Sequence, residues 1–450
     1  MLTGPASPPA GAVTLPAGDN SSLNPVANVT YWFAPGTHTF GTGQYGQIIP
    51  ADDDVFIGAP GAILDGKNLN DYAFTQHATG VTIEYLTIQN FGTPGGNGGE
   101  GVVNHDSGVG WTIAYNTIQD NAGAGAFLGT NGVVRDNCLS DNGEYGFQSY
   151  SLNAATDNIV LDHNEIAGNN TWNWEAKQPG CGCSGAGKFW NTIGATVTDN
   201  WIHDNHGPGL WADTDNDDFE FAGNYIDDND GEGLFYEISY NALIENNTFV
   251  QNALVEGPTN PGFPTGAIYL SESGGDGRVP ARYSTIEITG NTFTNNWSGV
   301  VLWESADRFC GSPNNTSSGY CTMVNPAANL STCVAGTIDS PPYYSDCRWK
   351  TQNVSVHNNT FSFDPGSIPG CSPSASCGLQ GIFSQYGTSP SWSPYMGTVI
   401  EDAITFHQNN VFADNTYLGP WEFMAHDQAT LLTPAQWQAA PYNQDAGSTF

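Results

Sequence analysis

Residues 219–252 read FEFAGNYIDDNDGEGLFYEISYNALIENNTFVQN. FEFAGN and ALIENN are short apolar runs ending in Asn, and each is followed by a second short run that ends in Asn again. Between them lies a Gly-flanked strand-like segment, GLFYE. The pattern recurs on both sides, as VTIEYLTIQN (81–90), WTIAYNTIQDN (111–121), VVRDNCLSDN (133–142), IVLDHNEIAGN (159–169), ATVTDNWIHDN (195–205), IEITGNTFTNN (286–296) and VSVHNNTFSF (354–363). With the central Asn as the mark, the repeat falls on Asn116, Asn137, Asn164, Asn200, Asn224, Asn247 and Asn291, and its closest spacings are 21, 24 and 23 residues.

Three short strands in a period of that length predict an all-β chain wound as a single right-handed parallel β-helix of about ten or more coils. One coil cannot bury its own apolar face, but stacked coils bury a continuous cylinder. The recurrent Asn is expected to occupy the left-handed backbone of a tight turn and to form side-chain ladders between coils. A leucine-rich repeat lacks its Leu pattern here, and a propeller needs units of about 40 residues. Residues 1–40 read as a lead-in and cap, 41–420 as the β-helix and 421–450 as a C-terminal cap containing the short helix of LTPAQWQAAPYNQ. Insertions are expected at 171–187, 253–265, 306–350 and 364–400. Long loops on a rigid repeat build a binding face.

Composition narrows the partners. The 450 residues hold 9 Lys and Arg against 45 Asp and Glu, a formal net charge of -36. Binding of nucleic acid depends on neutralising phosphates, so such a chain is not a nucleic-acid partner. Nor does it suit an anionic membrane. No apolar run is long enough to span a bilayer. The first ten residues are polar and Pro-rich, unlike a signal peptide. Eight of the nine cysteines lie in the Gly/Ser/Pro-rich insertions, which predicts disulfide-stapled loops and a secreted protein whose signal has been removed, monomeric by default. Cys138, inside a strand pattern, is the expected buried free thiol.

A solenoid stacks equivalent positions into columns. Aligned on the Gly that opens each GLWAD-like strand, the fourth residue on is Asn191, Asp213 and Glu237, and small shifts continue the series to Glu272 and Glu304. Trp190, Trp211, Tyr236, Tyr269 and Trp303 run beside it. Like charges in neighbouring coils repel, so the fold has no need of such a column. Glycosidic cleavage does need two carboxyls, one protonated and one ionised, and aromatic faces suit sugar rings. Carboxyls one coil apart would match the spacing of a retaining hydrolase. His203 and His206 in HDNHG are candidate cleft residues. Asp215, Asp217 and Asp218 are candidate ligands for a Ca2+ ion, which takes several oxygens.

Over most of 40–420 the chain resembles the pectate-lyase-like superfamily of right-handed β-helices. Locally, GLWADTDNDDFEFAGNYIDDNDGEGLFYEISYNALIENN (209–247) resembles the catalytic stretch of glycoside hydrolase family 120, the β-helical β-xylosidases. The resemblance implies Asp213 as nucleophile and Glu237 as acid/base, with no cofactor. Those xylosidases carry an inserted β-sandwich that this sequence does not show, so their substrate is not carried over. The superfamily also implies an alternative, a Ca2+-dependent lyase acting on a uronate polymer by β-elimination, with Lys188 as the base and Asp213, Asp215 and Glu237 around the metal. A non-catalytic glycan-binding β-helix is the third reading. In all three the partner is a polysaccharide or oligosaccharide.

Overall fold

The computed structural model describes residues 3–75, 77–96, 101–103, 108–150, 155–314, 319–425 and 430–450. The chain falls into two compact units, Met1–Leu210 and Trp211–Phe450, and each is a stack of parallel coils. In the first unit, one sheet runs through eight strands from Val13–Leu15 to Thr196–Thr198, and a second through eight from Gly18–Asp19 to Trp201–His203. Ala126–Phe127, Phe147–Ser149 and Gly187–Trp190 supply a third. In the second unit, five strands from Phe219–Ala222 to Val411–Ala413 form one sheet and five from Tyr225–Asp227 to Thr416–Leu418 another. The third sheet there contains Leu234–Glu237, Gly266–Ser271, Ser298–Ser305, Leu379–Gln385 and Glu422–Met424, in that order. The expected parallel β-helix is therefore present.

Its core is built by register. Side chains alternate in and out of a strand, so one apolar position per short strand stacks directly on its equivalent in the next coil. Phe249, Phe293, Phe361, Tyr417 and Phe450 form one such file, with ring centroids 5.0, 4.5, 5.0 and 5.0 Å apart.

The central Asn residues form the expected ladders between coils but do not take the left-handed backbone. Left-handed backbone belongs to the residue before each mark: Asp136, His163 and Asp199 precede Asn137, Asn164 and Asn200, and Asn246 precedes Asn247. The marker Asn itself is buried, at 1% exposure for Asn224, Asn247 and Asn291. Asn247 Oδ1 accepts from both the backbone N–H and the side-chain amide of Asn224, each at 2.9 Å. Asn247 then donates in the same two ways to Asn291, at 2.9 and 3.0 Å, and also to the Phe221 carbonyl. Asn291, Asn359 and Asn415 continue the file. In the first unit Asn116, Asn137, Asn164 and Asn200 repeat it. A parallel file, Asn121, Asn142, Asn169 and Asn205, turns the following corner. Turn backbone turned inward has unpaired donors, and Asn carries both the acceptor and the donors that satisfy them.

The ends and insertions depart from the sequence expectation in detail. Val13–Leu15 and Gly18–Asp19 already pair with Thr30–Phe33 and Gly36–Thr39, so coiling starts well before residue 41. The 364–400 stretch is not one insertion, because Leu379–Gln385 within it pairs with Ser298–Ser305. The C-terminal helix is Pro434–Gln438, with a capping box between Thr433 and Gln436. Disulfides join Cys181 to Cys183, Cys310 to Cys321, Cys333 to Cys347 and Cys371 to Cys377. Cys138 is unpaired but half-buried, because it takes an outward position of Cys138–Ser140 while Leu139 enters the core. Among the described residues no helix is long and apolar enough to cross a membrane.

The file of Asn amides predicts unequal costs at adjacent positions. Asn247→Ala strands several buried groups at once and should cost about 3 kcal/mol, at roughly 1–3 kcal/mol per unsatisfied group. Asn246→Gly keeps the left-handed turn and should cost less than about 1 kcal/mol. Urea denaturation midpoints measure both, and equal losses would refute the division of labour.

Candidate functional site

The site is assembled in the second unit on the outward face of the third sheet. In Leu210–Asp213 the alternation buries Leu210 and Ala212 and turns out Trp211 and Asp213. In Leu234–Glu237 it turns out Phe235 and Glu237. The Thr214 amide donates to the Glu237 carbonyl at 3.1 Å and the Asp215 amide to the Ile238 carbonyl at 2.9 Å. That parallel pattern sets Asp213 level with Glu237, and the Trp211 ring stacks on Phe235 with centroids 5.0 Å apart. Phe235 stacks in turn on Tyr269 at 4.7 Å. A file of stacked aromatic rings thus runs beside a pair of carboxyls, two residues away along the strands of Asp213 and Glu237.

The next coils part from the expected column. Glu237 is level with Ser271, and Ser271 with Trp303. The opening Gly is not the register mark: Leu234 pairs with Ile268, and Gly266 with Ser298. Glu272 follows the strand end in a left-handed conformation, φ 44°. It is 1% exposed and still faces the site. Its Oε2 accepts from Ser271 Oγ at 2.5 Å and from Arg308 Nη1 at 3.0 Å, and its Oε1 from the Ser305 amide at 2.8 Å. Glu304 lies on the opposite side of its strand from Trp303. It pairs with Arg348 and accepts from Gln408 Nε2 at 2.7 Å and the Thr351 amide at 3.2 Å. This is a closed, buried ion pair remote from the outward face.

Glu237 is held through both of its carboxyl oxygens. Arg308 Nη1 donates to its Oε1 at 2.5 Å, and Trp211 Nε1 to its Oε2 at 3.2 Å. Glu237 is 6% exposed. Burial, reinforced by the Asp213 and Glu272 charges and opposed by Arg308, pushes its carboxyl up to about 6. Asp213 is half-buried and accepts from Thr214 Oγ1 at 2.8 Å. Two residues on, burial, reinforced by the Asp213 charge, pushes Asp215 up to about 7.

The other predicted residues sort by strand parity and by loop direction. Tyr236 points inward, is fully buried, and donates to the Tyr240 carbonyl at 2.6 Å, so it cannot line the cleft. Phe235, its neighbour, takes that place. Tyr269 is covered by Phe263, whose ring meets it edge-on at 5.0 Å, and Trp303 packs beside both. The three aspartates expected to bind Ca2+ diverge, because Thr214, Asp215 and Asp218 all have left-handed backbone that re-aims successive side chains. Asp217 accepts from Asn241 at 3.0 Å, whereas Asp218 pairs with Arg282 at 3.0 Å. Among the described residues, a close three-ligand group forms instead from Asp162, His163 and Asp199, all half-buried or exposed.

Lys188, Trp190, His203 and His206 belong to the first unit. Lys188 donates to the Gly182 carbonyl at 3.0 Å, inside the Cys181–Cys183 loop. Trp190 stacks on Tyr150 at 4.5 Å. His203 lies against Trp201 and pairs with Asp204 at 2.7 Å, on the second sheet and not the third. His206 is exposed in the turn that follows. Arg308 was not singled out from the sequence, although an arginine in a chain with nine basic residues beside a carboxylate-rich repeat was a usable signal.

The sequence of residues 100–279 matches the family described as right handed beta helix region. No curated protein matches the chain. Among solved structures it is similar to the A-module of the Azotobacter vinelandii mannuronan C-5 epimerase AlgE4, at 16% identity over 66% of this chain and 86% of that one, with a TM-score of 0.40. It is similar to the catalytic unit of a thermostable GH87 α-1,3-glucanase from Streptomyces thermodiastaticus, at 13% identity over 98% of this chain and 63% of that one, with a TM-score of 0.43. A PL6 family alginate lyase is similar at 11% identity over 96% of this chain and 56% of that one, with a TM-score of 0.40. Nothing about the chemistry of this chain follows from likenesses of that size.

The two ion-paired glutamates should respond differently to neutralisation. Glu304→Gln leaves the Arg348 guanidinium buried without its counter-charge and should cost about 3 kcal/mol. Glu237 has a folded pKa above its unfolded value, so what it contributes is present at low pH and is lost as pH rises through about 6. At pH 7 Glu237→Gln should therefore cost less than about 1 kcal/mol. Urea denaturation of both variants at pH 7 checks this, and a Glu237→Gln loss as large as that of Glu304→Gln would contradict it.

Proposed function

We propose that the protein is an exported glycoside hydrolase that cleaves a polysaccharide or oligosaccharide with retention of configuration, using Asp213 as nucleophile and Glu237 as acid/base. The observation that carries this reading is the level placement of Asp213 and Glu237 on adjacent parallel strands beside the Trp211–Phe235–Tyr269 row. Adjacent strands lie about 4.8 Å apart, close to the roughly 5–5.5 Å between carboxyls of retaining enzymes. The part-exposed rings of Trp211 and Phe235 offer a sugar an apolar wall. Four disulfides support an oxidising destination.

The chemistry balances on these two groups. The Asp213 carboxylate attacks the anomeric carbon while Glu237 protonates the departing glycosidic oxygen, leaving a glycosyl ester on Asp213. Glu237, now ionised, takes a proton from water as the water oxygen attacks the same carbon. The hemiacetal leaves, Asp213 is again a carboxylate, and Glu237 is again protonated. Oε2 of Glu237, with the longer of its two contacts, is the oxygen suited to carry that proton. A group that must act as acid and then as base works best with a pKa near the working pH, and about 6 meets that need. A metal-assisted lyase is less well supported, because Glu237, one of its metal-ligand candidates, is already held by Arg308 and Trp211, and Lys188, its candidate base, donates to the Gly182 carbonyl.

Asp213→Ala and Glu237→Ala should each lower kcat/KM on a responsive glycan or aryl glycoside by at least about 1000-fold, the scale on which positioned catalytic groups act. Melting temperature should stay within a few degrees. Native protein should release reducing ends with no rise in absorbance near 235 nm, insensitive to EDTA, and the first product anomer should retain its configuration by proton NMR. Turnover that survives both substitutions, or absorbance at 235 nm abolished by EDTA, would overturn the assignment.

A further inference from the structure

Arg308 is not supplied by the β-helix repeat. It stands at the start of the 306–350 insertion, three residues beyond Ser298–Ser305, with its amide donating to the Ser305 carbonyl at 3.1 Å. Its neighbours fix it from both sides. Asp307 accepts from the amides of Thr388 at 2.9 Å and Ser389 at 3.2 Å. Phe309 is fully buried in a small core of the insertion, with Cys310, Cys333, Cys347 and Tyr395. Cys310 and Cys347 belong to two different disulfides and are joined by a 2.7 Å backbone hydrogen bond. The guanidinium emerges from this anchored segment at 13% side-chain exposure. Through a single nitrogen, Nη1, it reaches Glu237 Oε1, Glu272 Oε2 and, at 3.3 Å, Ser271 Oγ.

We infer that Arg308 is a positioning residue that orients the Glu237 carboxyl and keeps it able to ionise, and that Glu272 is the counter-carboxylate that pins the guanidinium in place. The inference rests on the reading of Glu237 as acid/base. Burial and like charge both favour the neutral acid. The charged and titratable groups that face Glu237 are Arg308, Asp213, Glu272, Glu232 and the Tyr269 phenol, and Arg308 alone among them is a cation. Without it Glu237 would remain protonated, competent to donate to the leaving group and unable to accept from water in the second step. Glu272 acts in the opposite sense on Glu237, as a like charge, while its hydrogen bonds from Ser271 and the Ser305 amide keep it where Arg308 needs it. The insertion therefore forms part of the reacting apparatus.

Trp211 provides a readout independent of turnover, because its indole N–H donates to Glu237 Oε2. In protein labelled with 15N-tryptophan, with the resonance assigned by its loss in Trp211→Phe, the indole shift should titrate with Glu237, at a midpoint near 6. Arg308→Gln should raise the midpoint by a unit or more. Glu272→Gln should lower it. Arg308→Lys should recover most of the midpoint, since a point charge suffices. On an activated aryl glycoside, Arg308→Gln should lower kcat about 100-fold and lower KM as well, because the covalent intermediate accumulates, and should move the acid limb of kcat to higher pH. Opposite signs in the two variants cannot arise from general loosening, and if Arg308→Gln fails to fold, Arg308→Lys and Glu272→Gln carry the test. An unmoved midpoint, or shifts of the same sign in both variants, would overturn the inference. Midpoints that move as expected in a protein with no hydrolase activity would uphold the role of Arg308 and remove the proposed reaction instead.

Discussion

Every feature of the site depends on the requirement that polar groups turned into the coil corners find partners one coil away. The Asn files meet it, with each side chain accepting two hydrogen bonds from the coil before and donating toward carbonyls behind. A buried donor left unpaired costs about as much as several tenths of the whole stability margin of a small domain, so slippage by one residue is strongly disfavoured. The apolar files, such as Phe249 to Phe450, then stack without choice of partner. Asp213 and Glu237 inherit their placement from this register, since their strands sit one corner away from Asn224 and Asn247.

The repeat was legible because period and residue type recur together, and short strands ending in Asn leave few other architectures. The function of that Asn was half legible. Its ladder follows from an amide that both donates and accepts, but the left-handed residue is the one before it, often Asp, Asn or Gly, and all these types suit a turn. Column assignment was less secure. Alignment on the opening Gly put Glu272 and Glu304 in line with Glu237, whereas strand pairing puts Ser271 and Trp303 there. Parity would have corrected Tyr236 from sequence alone: an outward Glu237 requires an outward Phe235 and an inward Tyr236. For Arg308 the scarcity of basic residues was the one available signal, because its insertion has no period, and contacts between a loop and a sheet 71 residues away in sequence leave no local pattern.

Charge is distributed with a consistent logic in the second unit. Against a formal net charge of -36, Arg278 pairs with Asp276 and Asp346, Arg282 with Asp218 and Glu220, Arg308 with Glu237 and Glu272, and Arg348 with Glu304. These cations stand beside carboxylates partly or wholly withdrawn from water, whereas Asp217, Asp307 and Asp445 are buried on neutral donors. The bland consequence is solubility. The sharper one is that the fold carries several buried carboxylates whose charge depends on a single neighbour, which is a demanding arrangement for a protein built otherwise from amide ladders and ring stacks.

The step between coils also sets a limit on how such a protein can diversify. The distance between Asp213 and Glu237 is a property of hydrogen-bonded backbone, which no loop can alter. Insertions such as 253–265 and 306–350 can lengthen, shorten or exchange residues and so change which sugar is held and how its acid is tuned. For the proposed reaction, by contrast, the stereochemical course would be fixed by a count of coils: to convert retention into inversion, a lineage would have to move one carboxyl a whole coil away. Selectivity is thus open to gradual change in this scaffold, whereas the type of displacement changes only by a discrete jump.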